Sequence, residues 1–249
     1  KIWGGNHLDF TFKRSLDNEK FIGKKGNNDI CKHLLNKIKT KFNTQIKNIV
    51  YKGNYWEIST HKNIKINYKN LILTFPYPQT KVIAKKYLNQ KIKNLNVKMS
   101  PNITVMVAFK ENKNIPISSI RFNNSIIAWA SSENSKKRFN TNLKLWTIQS
   151  SISFAKKNIN LYKKNKNSVA NKLIKKLLDC TGYKNTNIIY KRIHGWKYSY
   201  ALKNTNIKHF WDNKFNLGIC GDWLISHNAE GSWLSANSLF NKIKKNPRF

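Results

Sequence analysis

The chain has 249 residues, 40% of them hydrophobic and with eight Trp and thirteen Phe, which is enough apolar material for a sizeable core and argues against disorder. Its formal net charge of +36 comes from 47 Lys and Arg set against 11 Asp and Glu. Only five of the 47 are Arg, and 37 residues are Asn, so the charge reads as the Lys, Asn and Ile bias of AT-rich codons and not as a nucleic-acid site, which leans on Arg for bidentate and stacking contacts.

The chain opens Lys-Ile-Trp-Gly-Gly-Asn, and Gly4-Gly5 has neither a strand pattern before it nor a helical pattern after it. After Phe21-Ile22-Gly23-Lys24-Lys25-Gly26-Asn27, residues 27–39 are predicted as a helix, with Ile30, Cys31, Leu34, Leu35 and Ile38 on one face. Residues 44–49 and 55–58 read as short strands separated by Gly53-Asn54. Leu71 to Phe75 is a short apolar run of the kind covered on both faces, stopped by Pro76 and Pro78. A short helix holding Val82, Ile83, Tyr87 and Leu88 follows. The runs 103–109, 125–130, 143–150 and 188–200 then read as an antiparallel sheet. Between the last two, 156–167 is a loop or a frayed helix. Beyond it a helix capped by Ser168 presents Val169, Ala170, Leu173, Ile174, Leu177 and Leu178, and ends near Gly182.

Cys31, Cys180 and Cys220 are scattered among apolar neighbours, which predicts core thiols and a reducing, cytoplasmic setting. The six histidines have no metal-ligand spacing, and no apolar run approaches membrane-spanning length.

The last segment is the most informative. Leu217-Gly218-Ile219-Cys220-Gly221-Asp222-Trp223 is a short apolar run ending in Gly-Asp. Eight residues after Asp222, past Asn228-Ala229, Glu230-Gly231-Ser232-Trp233 opens an amphipathic helix with Trp233, Leu234, Leu239, Phe240 and Ile243. An acid just past a parallel strand can accept hydrogen bonds from ligand hydroxyls, and a helix N-terminus aimed at the same place offers N–H groups to an electron-rich edge. The bland alternatives are a turn Asp and a first-turn Glu that steadies its own helix. Upstream, His194, Trp196 and Tyr198 alternate along one strand and so share a face, which suits either a flat ligand or a core stripe.

Taken in order, the 21–27 turn and helix, the 71–79 strand and Pro turn, the 188–201 strand and the 217–236 segment resemble the renalase-type FAD-dependent oxidoreductases, relatives of the flavin amine oxidases. The resemblance runs from about residue 20 to 244. It implies a two-lobed α/β fold, with an FAD lobe built on a parallel sheet (20–80 and 213–249) and a β-rich antiparallel substrate lobe (81–212, with 1–19 at its edge). It also implies that FAD would meet the backbone of Ile46 at the adenine edge, Gly221 and Asp222 at the ribityl chain, and Glu230, Gly231, Ser232 and Trp233 at the flavin ring. His194, Trp196 and Tyr198 would border the cavity for a small reduced substrate, an NAD(P)H isomer or an amine, with electrons passing to oxygen. No catalytic acid or base and no metal is assigned. Members of the family begin with a strand–Gly-x-Gly-x-x-Gly–helix unit that this chain lacks, which makes the chain an N-terminally truncated fragment, inactive alone. The rival readings are an inactive remnant of such an enzyme and a basic nucleic-acid-binding protein.

Overall fold

A computed structural model of the protein describes residues 1–9, 11, 13, 20–184, 187–203 and 205–245. In chain order its elements are β1 (His7–Leu8), α1 (Asp29–Leu34), β2 (Ile46–Tyr51), β3 (Trp56–Thr60), β4 (Lys65–Tyr68), β5 (Leu71–Leu73), α2 (Tyr77–Ile83), α3 (Gln90–Lys93) and β6 (Met99–Lys110). These are followed by β7 (Ser119–Arg121), β8 (Ile127–Ser132), β9 (Lys144–Ser150), α4 (Ile152–Asn158), α5 (Lys166–Thr181) and β10 (Asn187–Ala201). The chain closes with β11 (Phe210–Asp212), β12 (Leu217–Ile219), α6 (Asp222–Ile225) and α7 (Ala229–Ile243).

Packing divides the chain into two compact units, Lys1–Thr40 with Pro101–Lys197, and Lys41–Ser100 with Tyr198–Phe249. These boundaries differ from the predicted 20–80, 81–212 and 213–249. Residues 20–40 belong to the first unit, where Arg138 reaches back to them: its Nε donates to the Gly23 carbonyl (3.1 Å) and its Nη2 to Asn27 Oδ1 (2.9 Å). Residues 81–100 belong to the second, because Ala84, Leu88 and Ile92 are buried in the same core as Trp56 and Trp223.

The first unit is built on a six-stranded sheet in the order β1-β7-β8-β9-β6-β10. Ile103, Val105, Val107 and Phe109 alternate along β6 and share one core with Val169, Ala170, Leu173, Ile174 and Leu177 of α5, whose spacing puts them on one helical face. That helix is capped by Asn165, three residues before Ser168, and stops at Gly182, whose φ of 69° supplies the left-handed turn. Near the β7–β9 end of the unit, Lys136 is only 3% exposed. Its Nζ lies 2.6 Å from Glu133 Oε1 and 4.9 Å from the Trp3 ring centroid. Glu133 Oε1 also accepts from the Ser131 and Thr147 hydroxyls, so the charge facing the buried lysine is itself hydrogen-bonded.

The second unit carries two three-stranded sheets, β2-β3-β4 and β11-β12-β5. One parallel pair of the kind the resemblance implied forms here: β12 runs parallel to β5 with Leu217 opposite Leu71, Gly218 opposite Ile72 and Ile219 opposite Leu73. Leu73, Leu217 and Ile219 are buried in the core. Ile72 points the other way and is 43% exposed, so β5 is covered on one face and open on the other, contrary to the expectation of two covered faces. The predicted helix at 27–39 shrinks to the six residues of α1, none of them buried, and Ile30, Leu34, Leu35 and Ile38 are exposed. Cys31 is therefore exposed too, and of the three thiols only Cys220 is a buried one. Among the described residues no helix is long and apolar enough to cross a membrane.

Candidate functional site

The Gly-Asp turn lies at the C-terminal end of β12, beside the C-terminal end of β5. Three contacts fix it, each between residues far apart in sequence or on separate elements. The Cys220 amide donates to the Leu73 carbonyl (3.2 Å), which extends the parallel pairing to the start of the turn. The Gly221 amide donates to Ser235 Oγ (3.0 Å), and that fully buried hydroxyl donates in turn to the Lys208 carbonyl (2.7 Å), pinning the turn to the middle of α7. The Trp223 indole, 1% exposed, donates to the Phe75 carbonyl (3.0 Å) and holds the end of β5 against the start of α6. A side chain at position 221 would meet the Trp223 ring at 2.9–3.0 Å, so glycine keeps that indole in place.

Asp222 is half-buried at the first position of α6. Burial pushes its carboxyl above the ordinary carboxylate value, opposed by the hydrogen bond from the Trp223 amide (2.8 Å) and by the nearby His227. His227 is stacked at a tilt on Tyr200, ring centroids 5.5 Å apart, and burial pushes the Tyr200 hydroxyl up as well. An acid, an imidazole and a phenol thus gather within the second unit, and two of them, His227 and Tyr200, were not anticipated from the sequence.

The α7 N-terminus is capped by Asn228, whose Oδ1 accepts from the Gly231 amide at 2.7 Å. The Ser232 amide goes to the Asn228 carbonyl (3.2 Å). The amides of Gly231 and Ser232, expected to face a ligand, are thus already used. The Ala229 and Glu230 amides have no partner among the described residues and are the donors this end offers. Gly231 is required sterically, since a Cβ there would overlap the Ser226 carbonyl. Glu230, Ser232 and Trp233 are exposed.

Of the other predicted residues, Ile46 begins β2, which is an edge strand opposite Thr60 of β3, so one backbone edge of Ile46 is unpaired by a strand among the described residues. His194 and Trp196 are exposed neighbours on β10, ring centroids 4.3 Å apart and edge to face, so Trp196 is not a core stripe. Both belong to the first unit, whereas Tyr198, Gly221, Asp222 and the α7 start belong to the second. Among the described residues no cluster of His, Cys, Asp or Glu could hold a metal ion.

No protein-family model matches the chain. Solved structures share its fold at low identity. A protoporphyrinogen oxidase-like protein from Exiguobacterium sp. 255-15 matches with a TM-score of 0.67 and 10% identity, over 89% of this chain and 51% of that one. A CLA-producing fatty acid isomerase from P. acnes matches with a TM-score of 0.59 and 11% identity, over 86% and 51%. A putrescine oxidase redesigned in its cofactor binding matches with a TM-score of 0.58 and 9% identity, over 82% and 49%. The chain therefore spans about half the length of the structures it matches.

Proposed function

We propose that this chain is part of an FAD-dependent oxidoreductase of the flavin amine oxidase type, and that its second unit supplies one side of the flavin site. The observation that carries this reading is the Asp222 turn, set at the C-terminal ends of the parallel β5–β12 pair and pinned to α7 through Ser235. Ligands of open parallel sheets gather at that end of the strands, and a helix N-terminus beside it favours an electron-rich group.

The residues present fit such a ligand. A half-buried carboxylate is an acceptor for the hydroxyls of a polyol chain, and Asp222 keeps oxygen capacity beyond the one bond it takes from Trp223. The free Ala229 and Glu230 amides can donate to a carbonyl edge. The unpaired edge of Ile46 can pair with a flat base through its backbone. When bound, FAD would accept two electrons from the substrate, which is chemistry the side chains do not supply. The second unit's part is to orient the ring and to stabilise negative charge that gathers on it at the positive end of α7. A small reduced molecule, an isomer of NAD(P)H or an amine, oxidised with oxygen as final acceptor, is the specific form of this proposal. The 249 residues alone would hold such a ligand weakly, since ordering so long a molecule is costly.

Equilibrium dialysis of FAD against the chain and its Asp222→Ala variant tests the reading. The parent should retain measurable flavin and the variant about tenfold less, a loss of one charge-assisted hydrogen bond or more. Equal retention by both, or none by either at millimolar flavin, would refute it.

A further inference from the structure

Ile127 and Ala130 both lie in the core of the first unit although they stand three apart on β8, where strict alternation would send one of them to the opposite face. The pairing with β9 explains it. Ile127 is opposite Ser150 and Trp129 is opposite Gln149, so Ala128 is an extra residue, a bulge that shifts the strand's phase and turns Trp129 to the face away from the core. On that face the register lines up four residues on four adjacent strands. Arg121 of β7 is opposite Trp129, Trp129 is opposite Gln149 of β9, and Gln149 is opposite Thr104 of β6. Arg121, Trp129 and Gln149, with Phe122, Asn123 and Ala128, line an open concavity of about 690 Å³, and no carboxylate lines it among the described residues.

The row is held in place from beneath and beside. Trp3 stands edge to face with Trp129, ring centroids 6.4 Å apart at 90°, and its own indole N–H donates to Ser135 Oγ (2.9 Å). Thr104 Oγ1 donates to Asn102 Oδ1 (3.0 Å) and keeps its capacity to accept. The Gln149 side chain is exposed and makes no hydrogen bond among the described residues. Arg121 holds a further contact, and a guanidinium has five N–H donors to share. We propose that this row binds a flat aromatic molecule with an acid at one end and an amide or similar polar edge at the other. The ring lies on Trp129, the acid meets Arg121 and the polar edge meets Gln149. Two strand spacings separate the end residues, roughly 10 Å, which is the reach of one ring with a substituent at each end. A chain of net charge +36 attracts any anion, so the selection comes from the ring and the polar edge together. The site lies wholly in the first unit, and the inference does not rest on the flavin reading.

Calorimetric titration of the 249-residue chain, without flavin, tests this with 4-carbamoylbenzoate and 4-carbamoylphenyl phosphate, the pair distinguishing a carboxylate from a phosphate acid. At least one should bind about tenfold more tightly than benzamide, which has no acid, and than succinamate, which has no ring. Gln149→Ala should weaken that binding about fivefold and leave the melting temperature unchanged, since the side chain is exposed and unbonded. Arg121→Met should erase the advantage over benzamide, and Trp129→Ala the advantage over succinamate, while Trp129→Phe keeps most of it. Equal affinity for succinamate and the aromatic acids would mean attraction by net charge alone and would overturn the proposal. So would Gln149→Ala and Trp129→Phe variants that both bind as the parent does while Arg121→Met changes nothing, or no heat from either aromatic acid at millimolar concentration. Flavin is absent from every arm, so failure here leaves the flavin reading standing, and failure of the flavin dialysis leaves this site standing.

Discussion

Asp222 sits under two opposing demands. Its folded carboxyl holds a proton to higher pH than the ordinary value of 3.8, with burial as the main cause. Between that value and the raised one, the folded chain binds more protons than the unfolded chain, so stability falls as pH rises through this window and the cost is present in full above it. Asp222→Asn should therefore raise the melting temperature at pH 7 and flatten the profile between pH 4 and 7, while weakening flavin retention. Thermal melts across that range check the first half and dialysis the second. His209 shows the opposite sign. Burial, with help from Lys242, depresses its pKa below 6.5, so the stability it allows is present above pH 6.5 and is lost as pH falls through the depressed value. A His209→Gln variant should melt with less dependence on pH on the acid side, its Ser238 hydrogen bond being replaceable by the amide. Ser235→Ala removes a buried hydroxyl that serves Gly221 and Lys208 at once, and urea titration should show a loss of about 1–3 kcal/mol. The Gly-Asp turn was legible in the sequence because an apolar run ending in Gly-Asp is a local pattern. Its fastening was not, since Trp223 finds the Phe75 carbonyl 148 residues away and nothing in either neighbourhood names the other.

At the scale of elements, patterns that a core completes were read well and patterns without one were not. The α5 face and the long β6 and β10 strands came through because their periodic apolar residues are buried against one another or carry a ladder. Residues 27–39 have an equally good helical stripe, yet only six form a helix and none is buried, because an amphipathic face is stable only where something covers it. The short strands β4, β7 and β11 escaped the sequence reading. Three or four residues are too few for period-two alternation to stand out, and their pairing partners lie on other elements. The α7 start is a sharper case. Glu230 looked like its opening residue, but the cap is Asn228, whose side chain takes the Gly231 amide. Asn228→Ala should cost about 1 kcal/mol in a chemical melt. Gly231→Ala should cost more, since its methyl has only the Ser226 carbonyl to enter and the α6–α7 connection must open to admit it.

For the molecule as a whole, the charge is carried by both units. Exposed lysines occur in both units, among them Lys156, Lys157, Lys172 and Lys175 in the first and Lys47, Lys52, Lys62 and Lys85 in the second. Any adherence to DNA should be indifferent to sequence and fall steeply with salt, which filter binding at two ionic strengths would show; a salt-resistant, sequence-selective complex would contradict this. The parallel pair has a further consequence, in time instead of space. Leu71 meets Leu217, so β5 leaves the ribosome about 150 residues before the strand that completes it. At roughly 5–20 residues per second that is a wait of about 7–30 s. Throughout it, Leu71 and Leu73 of β5 stand beside Trp56 and Tyr77 with no β12 to close over them. Synthesis that pauses between the two strands should therefore yield aggregate in proportion to the pause, and chaperone demand should peak late, when β12 is still inside the tunnel.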